Sequence, residues 1–226
     1  GETYGHHHRF GEMALARVLQ ILEEDPRVRI ENYSSFLARN PAVHKVELVE
    51  PSSWSCAHGV ERWRSNCGCK MDPTADTQQE WREGLRESLT WLASEIHRIF
   101  VAEGSPLLGD PWSALDRWVF SRTMEAQEGR ARELLELERQ ACRFFTSCGW
   151  FFDDLAGLEA RQVLGYAARA LDLAGPHRAE LEAGFLTRLQ EARSNEDPPR
   201  DGKSVFLADV KPRISVPMRI AAGAGV

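Results

Sequence analysis

Apolar residues Leu15, Val18, Leu19 and Leu22 recur at helical spacing and predict a helix that Asp25-Pro26 ends. The stretch "VRIENYSSFL" then predicts a short strand, Val28 to Ile30, followed by polar residues and the beginning of a short helix. "VHKVELVEPSSW" alternates into a second strand that stops at Pro51. Helix, strand, short helix, strand is the rhythm of an α/β layer. From about Asp72 the rhythm becomes helical only. Trp81, Leu85, Leu89, Leu92, Ile96 and Ile99 step by three and four, the mark of one amphipathic helix. "GSPLLGDP" breaks it, and Trp112, Leu115 and Val119 begin a second helical stretch running to about Phe145. "LEARQVLGYAARALDLAG" predicts another helix, with Gly175-Pro176 as its stop. Leu181, Phe185, Leu189 and Ala192 predict a last one. "SNEDPPRDGKS" has the composition of a linker, and the remaining residues read as a strand start that runs out into small residues. No internal repeat is visible. These patterns predict an α/β part over 1–72, a helical domain over 73–196, and a linker and tail over 197–226.

Composition narrows the function classes. With 42% hydrophobic and 27% charged residues in 226, the chain is an ordinary globular protein that buries a core. A net charge of −6 and the lack of a basic stripe argue against nucleic acid as a partner. Apolar runs fall well short of the roughly 20 residues that cross a bilayer, so no membrane partner is expected. Five cysteines cannot pair completely within the chain, which points to a reducing compartment and a cytoplasmic location.

The chain opens "GETYGHHHRF", and its three histidines run directly into the first helix, which argues against an expression tag. About 50 residues later comes "PSSWSCAHGVERWRSNCGC", and farther on "FFTSCGWFFDDLAGLEARQVLGYAARALDL". In this order, these segments resemble glycoside hydrolase family 57, and more specifically the branch whose barrel continues into the uncharacterised domain DUF3536. The resemblance spans essentially the whole chain. It implies an α/β-plus-α fold: the C-terminal part of a distorted (β/α) barrel followed by a mainly helical domain. It also implies retaining hydrolysis or transfer at α-glycosidic bonds of a glucan, without a cofactor, the partner being a polysaccharide or oligosaccharide. The family's acid/base Asp would precede Gly1 and its nucleophilic Glu lies farther upstream. The expectation is therefore a C-terminal portion that contains neither catalytic carboxylate. Glu2 matches a supporting position of the motif and is not assigned acid/base work.

Retaining glycosidases hold two carboxyl groups about 5–5.5 Å apart, and the acid must keep its proton near neutral pH. Aromatic and imidazole groups suit the rest of such a cleft, stacking on sugar rings and hydrogen-bonding hydroxyls. The substrate-binding candidates are Glu2, Tyr4, His6 and His7, then Trp54, His58 and Trp63, with Trp150 and Asp153 reaching in from the helical domain. His8 falls at the helix start and is assigned no role. For Trp54 and Trp63 the competing reading is core packing, and for Asp153 or Asp154 it is capping of the helix that follows. A second chemistry occupies the same stretch. Cys56, His58, Cys67 and Cys69 form C-x-H…C-x-C, which could bind zinc. Zinc pairs are usually two to four residues apart, so single-residue spacing favours free cysteines over a metal. Cys142 and Cys148 flank an aromatic cluster and are expected as small core residues. Two non-enzymatic alternatives remain: a carbohydrate-binding or regulatory module that has lost catalysis, and a zinc-stabilised interaction domain.

Overall fold

The computed structural model describes residues 4–5, 8–120 and 129–213, in two units, 1–49 and 50–226. In the first unit α1 (Gly11–Glu24) forms where the apolar spacing predicts it. Asn32 then caps α2 (Tyr33–Arg39), its side-chain oxygen accepting from the Ser35 backbone N–H at 2.9 Å. That bond relieves one of the donors that the first turn of a helix leaves unpaired.

The barrel expectation fails here. Residues 28–30 and 43–50 are irregular chain, and no strand or sheet occurs among the described residues. An isolated bridge, Arg193 to Asp201, is the nearest approach to a ladder. A strand exists only against a lateral partner that takes its N–H and C=O groups, and no such partner lies among the described residues. Val43, Val46, Leu48 and Val49 are 80% or more exposed, so the alternation that suggests a half-buried strand has no face to bury. Only the helical half of the predicted fold is retained.

The second unit is built around α3 (Trp81–Leu108), against which α5 (Arg130–Arg143) and α8 (Arg178–Leu189) pack. Between α3 and α5 lies α4 (Pro111–Phe120). The short α6 (Cys148–Phe151) and the long α7 (Leu158–Leu173) follow, α7 lying on α5 and α6 on α7. The Asp201 carboxylate accepts from the Ser204 N–H and caps α9 (Gly202–Val205), from which helical turns continue through Phe206–Val210 and Lys211–Arg213. The stripe predicted for α3 is the core: Trp81, Leu85, Leu89, Leu92 and Ile96 are fully buried, each side chain stabilising the fold by about 1.5–3 kcal/mol. Phe144, Trp150, Phe185 and Phe206 complete it. Pro106 has no N–H to donate, yet α3 continues past the predicted break to Leu108. Gly109 ends it at φ 77, its N–H donating to Ser105.

Neither Asp153 nor Asp154 caps α7, whose N-cap is Gly157. Asp154 instead accepts from the Ala156 N–H at 2.7 Å and from the Asn195 N–H. Asn195 in turn donates to the carbonyls of Gln78 and Asp153, and accepts from the Gln78 N–H. One polar side chain thus ties the start of α3, the α6–α7 connection and the segment after α8. Cys142 and Cys148 are exposed rather than core residues.

Candidate metal centre

Loop 51–72, ahead of α3, carries the C-x-H…C-x-C pattern. Two glycines shape it. Gly59 directly follows His58 and Gly68 lies between Cys67 and Cys69, both at φ +81, a conformation that residues with a Cβ rarely adopt. With these turns the chain doubles back, and the four ligand atoms of Cys56, His58, Cys67 and Cys69 all lie within 4.8 Å of one another. Cys56 Sγ is 3.8 Å from Cys67 Sγ and 3.8 Å from Cys69 Sγ. His58 Nδ1 lies 4.0 Å from Cys56 Sγ and 3.6 Å from Cys69 Sγ.

These four distances are close to edges of one tetrahedron around a zinc ion. With Zn–S near 2.3 Å and Zn–N near 2.0–2.1 Å, tetrahedral angles put sulfurs about 3.8 Å apart and sulfur and nitrogen about 3.6 Å apart. They are far from the ~2.05 Å of a disulfide, and all five cysteines are free. Ligands one residue apart converge here because a left-handed glycine stands between or beside them.

The thiols respond to this crowding in opposite directions. Burial opposes ionisation of Cys56. The backbone N–H groups of Arg62 and His58 and the side chains of His58 and Cys69 outweigh it, bringing the thiol down to about 7. Cys69 is pushed up by burial and by the neighbouring sulfurs of Cys67 and Cys56. A thiolate next to further thiols is a poor arrangement without a cation and a good one around a divalent ion.

A second layer fastens the loop to the helical body. Arg62 is 4% exposed. Its guanidinium donates to the carbonyls of Ser55 (3.0 Å) and Phe151 (2.7 and 3.1 Å), and it stacks over the Phe151 ring at 4.1 Å. Arg82 is fully buried at the start of α3 and donates to the carbonyls of Cys69 (2.6 Å) and Phe152 (3.3 Å). Its Nε has no partner among the described residues. Burial, and after it the charge of Arg62, pull Arg82 below the usual arginine range, while the charges of Cys67, Asp153 and Cys69 oppose this. Such outer partners orient metal ligands and hold the loop that carries them.

The expected substrate residues divide as follows. Glu2, His6 and His7 lie outside the described residues. Tyr4 is in the first unit and 37% exposed. His58 joins the cysteines. Asp153 accepts from the N–H groups of Met71 (2.8 Å) and Asp72 (3.1 Å), pinning the end of loop 51–72. Trp150 is fully buried, its indole donating to the Arg82 carbonyl at 3.1 Å, and Trp63 donates to Ser147 at 3.0 Å. Trp54 stands apart, 81% exposed with its ring stacked on Phe151 at 5.2 Å. The sequence reading missed Arg62, Arg82 and Asn195. Arg82 had a signal: it lies on the apolar stripe of α3, three residues before Leu85 and seven before Leu89, where a charge needs buried partners.

The fold and this cluster define a mainly helical domain with Cys56, His58, Cys67 and Cys69 clamped to its side. The chain belongs to the family described as a domain of unknown function, DUF3536, whose model matches residues 78–123 and 119–226. No curated protein and no solved structure is detectably similar to it. Nothing in these comparisons ties the chain to glycoside hydrolase family 57.

Proposed function

We propose that the chain is a zinc-organised helical binding module. One zinc ion, held by Cys56, His58 through Nδ1, Cys67 and Cys69, locks loop 51–72 onto the α6–α7 connection. The observation that carries this reading is the convergence of four ligand atoms to within 4.8 Å of one another. Four protein ligands leave no open coordination position, so the role is structural rather than catalytic. Free cysteines with a zinc–thiolate centre suit a reducing compartment, in line with a cytoplasmic location; among the described residues no helix is long and apolar enough to cross a membrane. The test is metal analysis of the purified chain, followed by cobalt substitution. One equivalent per chain, with the visible bands of a tetrahedral thiolate site, is the expected result. Cys67→Ser/Cys69→Ser should abolish uptake, and uptake unchanged by that double substitution would refute the site.

Trp54 favours a second reading, in which the module serves an α-glucan-active retaining enzyme of the family 57 type. An exposed indole braced by Phe151 offers a flat apolar face of the kind that stacks on sugar rings. Titration with α-1,4-glucans of several lengths, followed by Trp fluorescence, tests it. Binding lost in Trp54→Ala supports this reading, and no binding at any length removes it.

A further inference from the structure

We infer that the Cys3His centre is a thiol-redox switch: peroxide converts two of its thiolates to a disulfide that always includes Cys56, and the zinc is released. This rests on the zinc reading above. Three thiolates and a neutral imidazole around a divalent ion leave one net negative charge, so the bound sulfurs stay nucleophilic. Cys67 and Cys69 are partly exposed and can meet an oxidant, whereas Cys56 is 6% exposed behind them.

The chemistry balances with hydrogen peroxide as the oxidant. The sulfur of Cys67 or Cys69 attacks one peroxide oxygen and the O–O bond breaks. The sulfur becomes a sulfenic acid, and hydroxide leaves and takes a proton to become water. The Cys56 thiolate then attacks that sulfur, the S–O bond breaks, and a second hydroxide leaves and is protonated. Two thiolates have lost two electrons in all, and one peroxide with two protons has become two waters.

Geometry selects the pair. Cys56 Sγ lies 3.8 Å from both other sulfurs, so either bond needs a closure of about 1.8 Å to reach disulfide length. Cys67 and Cys69 are separated only by Gly68, and a bond between them would close a small strained ring. Every unstrained pairing therefore uses Cys56. One cysteine and His58 remain, too few to hold the ion.

The experiment uses the zinc-loaded chain with Cys142→Ser and Cys148→Ser, two exposed thiols outside the centre. Hydrogen peroxide is added in the presence of a chromogenic zinc chelator. The expected result is one zinc released for two thiols lost, Cys56 in every mapped disulfide, and recovery of zinc binding after a thiol reductant. If the background variant is unstable, the same mapping on the unaltered chain reads the same outcome. A chain that takes up no zinc refutes the centre itself. A chain that binds one equivalent and keeps it under peroxide refutes the switch alone. So does zinc released with Cys67 and Cys69 over-oxidised and Cys56 unpaired.

Discussion

Substituting Gly149 with Ala tests whether the α6–α7 junction positions loop 51–72. A Cβ at Gly149 would lie 2.4 Å from Val163 Cγ2 and 3.3 Å from Val163 Cβ. Ordinary contact begins near 3.4 Å, so α6 and α7 must separate locally by about 1 Å. Val163 is 1% exposed and β-branched, so it has no easy alternative rotamer. Overpacking of this kind costs about 1–3 kcal/mol, and a chain of this size loses about 2–4 °C of Tm per kcal/mol. The same shift carries the Ser147 and Phe151 carbonyls away from Trp63 and Arg62, so zinc affinity should fall with stability. The assay is urea unfolding of Gly149→Ala, Val163→Ala and the double variant, each zinc-loaded. Val163→Ala alone should cost about 2 kcal/mol, from two buried carbons at about 0.8 each plus a cavity contribution. In the Gly149→Ala background that cost should shrink towards zero, because the smaller side chain makes room for the new methyl. Equal costs in both backgrounds, or a Gly149→Ala effect below about 0.5 kcal/mol, would refute the reasoning.

Three further outcomes follow from the structure. Gly68→Ala meets no neighbour within 4 Å but must hold φ +81; the strain of about 1–2 kcal/mol should weaken zinc binding roughly tenfold in a chelator competition. Asn195→Ala removes hydrogen bonds to Gln78 and Asp153 and should cost about 2–3 kcal/mol in urea unfolding. Glu138 is fully buried, and burial holds its carboxyl above the usual carboxylate range against the pull of His97 and, more weakly, Cys142. A raised folded-state value means stability present below the unfolded value of about 4.3 is lost as pH rises through the folded one. Glu138→Gln should therefore stabilise the chain near pH 8 and converge with the parent in acid, read by unfolding curves across that range.

The helical unit was legible because its signal is local. Trp81 to Ile99 repeat at a spacing that only a helix can bury on one side, and α3 buries all six. The alternation at 43–50 is equally local, but a strand is a property of two chain segments, and the pattern names only one of them. The sequence offered Cys56, His58, Cys67 and Cys69 as a pattern, and their convergence was less legible for a related reason. Ligand spacing describes separation along the chain, whereas the convergence here depends on φ at Gly59 and Gly68, which the letters C-G-C do not reveal. Trp150 and Trp63 show the same limit, since an aromatic that stacks on a sugar and one that packs in a core are the same letter.

The loop's fastenings have an unequal grip on the genetic text. Arg62, Trp63, Arg82 and Asp153 each spend their side chain, but what they hold is main chain: the carbonyls of Ser55, Cys69, Ser147, Phe151 and Phe152, and the N–H groups of Met71 and Asp72. Every residue but proline supplies the same amide, and every residue supplies the carbonyl. Among descendants of this sequence the four grasping positions should resist drift, while Ser147, Phe152 and Met71 are free to change without loosening the clasp.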